Sequence, residues 1–174
     1  MADQLINLIR QVSAADWAEL PETVKRLLET LTAIASLSER EDRLLQFLDA
    51  TPVGIAIYDQ SGRIIYLNQL GHALVGVERP LELSPKELSS VFKVYREGTR
   101  SLYPPQELPS ARAMAGVMAW ADDLQVYRDD TVLSLEVKAT PIFDQQGNVV
   151  YAVATLQDIS DRKRQQLEQQ TIDN

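Results

Sequence analysis

The 174-residue chain has no cysteine and a single histidine, His72. The first absence excludes disulfide scaffolds, thiolate metal sites, cysteine nucleophiles and any cofactor attached through sulfur. The second leaves a zinc site to be built almost wholly from carboxylates, an uncommon ligand set. Positive charge is also scarce: 17 Lys and Arg stand against 25 Asp and Glu, for a formal net charge of −8. Such a surface repels phosphate backbones and anionic lipid, so neither nucleic acid nor membrane is an expected partner. The basic runs Lys25-Arg26 and Arg162-Lys163-Arg164 are too short for a nucleic-acid footprint. No apolar run approaches the roughly 20 residues of a membrane span, and the first residues lack a signal-peptide layout, so the expected compartment is the cytoplasm. Missing as well are a Gly-rich phosphate loop, a histidine-kinase phosphoacceptor region, a cyclase GGDEF-like string and a catalytic triad. The expectation is a chain that is not an enzyme.

What remains is globular in character, with 45% hydrophobic and 24% charged residues. No glycine precedes Gly54, and residues 1 to about 50 read as helices. Leu5, Leu8, Ile9 and Val12 recur at helical spacing, Ser13 with Asp16 resembles a capping signal, and Leu20-Pro21 favours a boundary. Val24, Leu27, Leu28, Leu31, Ile34 and Ala35 form an apolar stripe. Ser38 with Glu41 reads as a capping box, which predicts a helix break near Leu37 before the pattern resumes at Leu44, Leu45 and Leu48.

The character changes at Thr51-Pro52. Val53–Tyr58 and Arg63–Leu67 are short β-favouring runs joined by Asp59-Gln60-Ser61-Gly62, a hairpin by composition. Asn68 is placed to cap the next helix. The stretch from Gly76 to Pro109 carries five prolines and reads as irregular, with short helices at Pro85–Val91 and after Pro105. A helix from Pro109 to Met114 should end near Gly116. Strands at Leu124–Tyr127, Val132–Ala139 and Val149–Leu156 follow, reversed at Asp129-Asp130 and at Asp144 to Asn148. A meander of this kind favours an α+β fold over a doubly wound one. Ser160 is expected to cap a last, polar helix, which alone would be marginal.

Four strings give this order a likeness. Pro52-Val53-Gly54-Ile55 with Asp59 through Asn68 resembles the opening hairpin of PAS domains and its asparagine entry to a helix. Tyr103-Pro104-Pro105-Gln106-Glu107-Leu108-Pro109-Ser110-Ala111-Arg112-Ala113-Met114 is similar to the "PPEELPLARAL" segment of many bacterial members. Thr140-Pro141-Ile142-Phe143-Asp144 through Gly147 resembles the penultimate strand and its hairpin, and Gln157-Asp158-Ile159-Ser160-Asp161-Arg162-Lys163 the "QDITERK" exit motif. The likeness runs from about residue 40 to 165. It implies an antiparallel five-stranded sheet with short helices on one face, divided as a helical extension (1–38), a PAS domain with its leading helix (39–159) and a C-terminal signalling helix (160–174).

The resemblance also implies a function: a cytoplasmic sensory or dimerisation module of a signal-transduction protein, regulating a histidine kinase, a cyclase or a separate signalling partner through its last helix. The alternative is a protein–protein interaction adaptor with a filled core and no ligand. Asp158 and Ser160 would carry the relay. A homodimer would use the N-terminal helices, with Leu27, Leu31, Ile34, Leu44 and Leu48 central. A small-molecule ligand would sit between the inner sheet face and the helices. Strand alternation and helical cover nominate Ile55, Ile57, Ile65, Leu67, Leu70, Leu74, Phe92, Met114, Leu133, Leu135, Val137, Val153 and Thr155 as lining or core.

The cofactor itself is left open. Haem is disfavoured, because the ligand in haem-binding relatives usually lies on the later helix, here Ala111–Met114, whereas His72 is on the first. Covalent flavin is excluded by the missing cysteine, which leaves noncovalent flavin as the minor alternative. Trp120 reads as a packing residue rather than a ring-stacking one. Asp122 and Asp123, if extended, point to opposite faces, so a catalytic or metal-binding pair is not expected there.

Overall fold

A computed structural model of the chain describes residues 22–77, 83–128 and 130–172. The expectations for Leu5, Leu8, Ile9, Val12, Ser13, Asp16, Leu20-Pro21 and Asp129 lie outside the described residues, as do those for the side chains of Val24, Leu27, Leu28, Leu31 and Ala35. The chain divides into two compact units, Met1–Ala50 and Thr51–Asn174.

In the first unit, helix α1 spans Glu22–Asp49 without interruption. The expected break near Leu37 does not occur. A cap at Ser38 needs extended backbone, and no glycine or proline in this run imposes it, so Ser38 stays helical at the modest cost of its propensity. Ile34, Leu37, Leu44, Leu45 and Phe47 are exposed on this helix. No described helix is long and apolar enough to cross a membrane.

The second unit is an antiparallel sheet with short helices on one face. Its elements are β1 (Gly54–Tyr58), β2 (Ile64–Leu67), α2 (Gln69–Val75), α3 (Leu88–Val91), β3 (Val94–Arg96), a 3-10 turn (Pro105–Glu107), α4 (Pro109–Met114), β4 (Ala119–Arg128), β5 (Thr131–Phe143), β6 (Val149–Asp158) and α5 (Ser160–Ile172). The sheet order is β2-β1-β6-β5-β4-β3, so six strands stand where five were expected. The added β3 is a three-residue edge strand, too short for alternation to announce it. Strands β4 and β5 also outrun their expected bounds. In β4 a bulge between Ala121 and Leu124 carries the polar Asp122-Asp123, which interrupts the apolar pattern there. Pro141 is tolerated in β5 because its partner on one side is Ala152 of β6, while the β4 ladder has already ended at Ala139.

The hairpin turns β1–β2 and β5–β6 are built alike. Asp59 Oδ1 accepts the amides of Ser61 (2.8 Å) and Arg63 (3.0 Å), and Asp144 Oδ1 those of Gln146 (2.9 Å) and Asn148 (2.8 Å). Gly62 and Gly147 close them at φ of +76° and +85°, a region costly for other residues. Backbone and side-chain donors hold both aspartates below the usual carboxylate range, in Asp59 against a desolvation that acts first and upward.

Asn68 ties the hairpin to α2. Its Oδ1 accepts the amides of Ile55 (2.8 Å) and Gly71 (2.9 Å), and its Nδ2 donates to the Val53 carbonyl (3.0 Å) and Thr51 Oγ1 (3.3 Å). The expected cap is thus in place and also spans to β1, with the side chain wholly buried. Helix α2 lies close on β1: a Cβ on Gly54 would meet the Gly71 Cα at 3.0 Å.

Candidate functional site

The inner sheet face is decided by register. Ala56 pairs with Ala154 and Tyr58 with Ala152, and these four are buried. The neighbouring pairs, Ile55 with Thr155 and Ile57 with Val153, have the opposite parity and face away from the core cluster. The expected assignment of Ile55, Ile57, Val153 and Thr155 to the lining is therefore reversed by one residue. Alternation in Gly-Ile-Ala-Ile-Tyr allows either face, and the alanine side is inward because the short helices approach it closely. Ile65 is likewise exposed. One extra residue in β2 makes a bulge opposite Ile57/Tyr58, so Ile64 and Leu67, three apart, both turn inward.

An interior cavity of about 50 Å³ lies between this face and the helices. Its walls include Leu67, Phe92, Leu135 and Val137 from the sequence assignment, and also Ala56, Ile64, Val94, Leu108, Leu124 and Val126. Leu74 is buried in the same core, with Leu70, Leu133 and Met114 half-buried against it. Tyr58 and Ser110 bring two hydroxyl groups to the cavity edge. Burial, partly offset by the nearby Ser110 hydroxyl, pushes the Tyr58 hydroxyl up to about 12, so it stays neutral. No lining residue carries a charge.

A space of this size holds a few solvent-sized groups at about 10–15 Å³ each, whereas pockets for drug-sized ligands begin near 300 Å³. The residues therefore do not fit a haem or a flavin ring without rearrangement. His72 points elsewhere: its Nδ1 donates to the Val77 carbonyl at 2.6 Å, which fixes the tautomer. No group of residues suited to hold a metal ion occurs among the described residues. Trp120 is not a packing residue; it is 54% exposed on β4.

Asp123 is engaged rather than poised. It accepts the Tyr103 hydroxyl at 2.9 Å and lies 3.7 Å from Arg96 Nε, while Arg96 also pairs with Glu107 and stacks 4.8 Å from the Tyr103 ring centre. Burial first, then Asp123, pushes the Tyr103 hydroxyl up to about 12. Asp129 falls outside the described residues.

The junction of sheet and exit helix is the second part of the site. Strand β6 ends at Asp158, opposite Leu135 of β5, and leaves the edge of Ser134 open to the chain beyond. Ile159 donates its amide to the Ser134 carbonyl at 2.8 Å, and the Ser134 amide donates to Ser160 Oγ at 2.9 Å. Ser160 was expected to cap α5. It is instead the first helical residue, its hydroxyl turned to β5, and Asp158 Oδ1 takes its amide at 2.8 Å. Arg162 then reaches Glu136 at 3.1 Å, and Lys163 pairs with Glu97, just beyond β3. Burial raises the Glu136 carboxyl, but Arg162 and Lys138 outweigh it and hold it below the usual range.

Four consecutive residues of β5 therefore serve both parts. Leu135 and Val137 line the cavity, while Ser134 and Glu136 hold the exit helix. Sequence reasoning missed Ser134, Glu136 and Glu97, whose partners are 26, 26 and 66 residues away. The one available signal was a carboxylate inside Leu-Ser-Leu-Glu-Val.

Solved structures share this layout. The PAS domain of an HTR-like protein from Haloarcula marismortui is 19% identical, with a TM-score of 0.50 over 71% of this chain and 95% of its own. The PAS domain of the fruit-fly ELK potassium channel is 15% identical, with a TM-score of 0.50 over 68% and 95%. An RNA-binding light-oxygen-voltage receptor is 20% identical, with a TM-score of 0.51 over 75% of this chain but only 36% of the receptor. At such identities the likeness is one of fold. No curated protein matches the chain in sequence. The family model of the PAS fold matches residues 48–164, from the end of α1 into the first turn of α5, so the whole sheet, its helices and the exit junction fall within it, and the chain belongs to the PAS-fold family.

Proposed function

We propose that the chain is a non-catalytic sensory module of a cytoplasmic signalling protein, which converts the state of its interior cavity into the position of α5. The observation that carries this reading is the alternation in β5. Period-2 geometry puts Leu135 and Val137 on the cavity side and leaves Ser134 and Glu136 holding the helix, so a displaced cavity wall moves the helix anchor by the same strand. Asp158 and Ser160 are the relay residues of this scheme, with Ser134 and Glu136 as their counterparts.

The test is hydrogen exchange at Ile159–Lys163 in the unaltered protein and in Leu135→Ala and Val137→Ala. Faster exchange in that turn, at substitutions that touch only the cavity side, supports the relay. Unchanged exchange in both variants overturns it.

The module pairs with a second copy through α1. Exposed Ile34, Leu37, Leu44, Leu45 and Phe47, with half-buried Leu48, support that interface, and Leu27 and Leu31 extend it along the sequence. The downstream partner is a histidine kinase, a cyclase or a separate signalling protein. Light scattering tests the dimer, and a monomer at tens of micromolar overturns it.

The small cavity favours a second reading, an adaptor whose core is filled. A native mass spectrum separates the two. A reproducible added mass supports a ligand sensor, and the bare sequence mass supports the adaptor.

A further inference from the structure

A second space, of about 200 Å³, lies beside the interior cavity and is the larger of the two. Three segments wall it: the β1–β2 turn through Gln60 and Gly62, the approach to α3 through Pro85, and α4 through Ala111 and Met114. The turn is fixed in place, because Asp59 Oδ1 holds the amides of Ser61 and Arg63. It also rests directly on its neighbour, since a Cβ on Gly62 would lie 2.6 Å from Pro85 Cγ. The walls are therefore set before anything binds, which spares a ligand the entropy of ordering them.

No described residue of the lining carries a charged side chain. An ion would lose its hydration there and gain no counter-charge. Pro85, Leu88, Pro105 and Met114 give the space an apolar body. Tyr58 and Ser110 add hydroxyl groups to the same lining, on residues each more than nine-tenths buried. A hydroxyl both donates and accepts, so either can meet a hydroxyl or a carbonyl oxygen. Pockets for drug-sized ligands begin near 300 Å³, whereas a cavity of about 150 Å³ already holds a benzene ring. The space is thus the size of one ring with a short substituent.

We propose that this outer space is a binding site for a neutral, ring-sized molecule with a single hydroxyl or carbonyl group, whose apolar body lies against Pro85, Pro105 and Met114 and whose oxygen meets Tyr58 or Ser110. It is a ligand position outside the interior cavity, and Tyr58, Leu88 and Ser110 line both spaces. A ligand there bears on the cavity wall without entering the smaller interior. The site itself stands whether or not that wall drives α5.

The probe is benzyl alcohol, titrated into the full chain and followed by amide chemical shifts. Saturable shifts are expected at Gln60, Gly62, Ala111 and Met114, and they exceed those at Ala56 and Val126, which line only the interior. Benzoate, which carries a charge, binds at least about ten-fold more weakly. Ala111→Leu fills the space and abolishes the shifts. Tyr58→Phe combined with Ser110→Ala removes only oxygen atoms, and keeps the test open should Ala111→Leu fail to fold. In that double variant the affinity for benzyl alcohol relative to toluene falls about five-fold. The proposal is overturned by an absence of shifts up to the solubility limit, by shifts centred on Ala56 and Val126, by equal binding of benzoate, or by an unchanged affinity ratio in the double variant. Hydrogen exchange at Ile159–Lys163 reads the relay separately: unchanged exchange with the shifts in place counts against the relay and leaves the site standing.

Discussion

Ser134 and Ser160 are joined where the sheet ends, the amide of the first donating to the hydroxyl of the second at 2.9 Å. With Ile159 donating to the Ser134 carbonyl, the pair continues the β5–β6 ladder one step past the last strand residue and into the helix. The exit helix is otherwise exposed and polar, so its orientation depends on this first turn and on the ion pairs just beyond it.

Ser160→Ala removes an acceptor and strands the Ser134 amide in a part-buried site. The expected cost is about 1–2 kcal/mol, concentrated at the junction. Hydrogen exchange should rise at Ile159–Lys163 and stay level around Asn68. Ser160→Thr keeps the hydroxyl and should behave like the unaltered protein. Equal protection in the alanine variant would show that the bond does not anchor the helix.

Acid should loosen the same junction. Burial lifts the Glu136 carboxyl, but Arg162 and Lys138 lower it more, so its folded-state value lies below the unfolded one. A depressed carboxylate contributes its full stabilisation above the unfolded pKa, near 4.3 for glutamate, and loses it as pH falls through the folded value. Asp59 and Asp144 shift in the same direction, so both hairpin turns share that acid sensitivity. Exchange in the first turn of α5 should therefore accelerate below about pH 4. In Glu136→Gln that acid step should vanish at α5 and persist at the turns. A step of unchanged size in the variant would assign it to another group.

Asn68 is the second anchor. Alanine there leaves the amides of Ile55 and Gly71 without the side-chain acceptor they now use, inside a fully buried site. Each stranded group costs about 1–3 kcal/mol, so urea unfolding should show a loss on the order of 3 kcal/mol or more. Asn68→Asp retains the acceptor, but sets a second carboxylate oxygen against the Val53 carbonyl in place of the amide donor. It should also destabilise, and the loss should shrink as acid protonates the new carboxyl.

The order of elements was legible because turn chemistry and strand composition are local. Asp59 to Gly62, Asn68, Pro109 and Asp144 to Gly147 each act on backbone within a few residues, and the structure uses all four at those places. The lining was legible only where alternation was unbroken. It succeeded for Leu135 and Val137, and failed at Ile65, where a bulge inserts one residue, and at Ile55 and Ile57, where both faces of β1 are apolar. Glu97, Glu136 and Ser134 were illegible because their roles come from partners brought in by the fold.

Gly54 and Gly71 set how near α2 comes to β1. A Cβ on Gly54 would stand 3.0 Å from the Gly71 Cα, which is backbone and cannot rotate away. On Gly71 it would stand 2.5 Å from Leu67 Cδ1, the end of a side chain that can move, though into the cavity it lines. Both alanine variants should lose about 1–3 kcal/mol by overpacking. Gly71→Ala with Leu67→Ala should cost less than the sum of the single changes, because the clash and the cavity offset each other. Strict additivity would mean that the added methyl is absorbed elsewhere.

The alanines of the inner face give the last prediction. Ala56 is 1% exposed and lines the interior cavity, where a larger residue on a β-strand has space to grow inward. Ala56→Val adds two methyl groups to a space of about 50 Å³, on a backbone that already suits a branched side chain. Filling of this kind commonly adds about 0.5–2 kcal/mol, so unfolding should shift to higher temperature. The same methyls occupy the volume a ligand would need in that cavity. A destabilised variant would mean that Ala56 packs against a neighbour, and that the free volume lies nearer Leu124 and Val126.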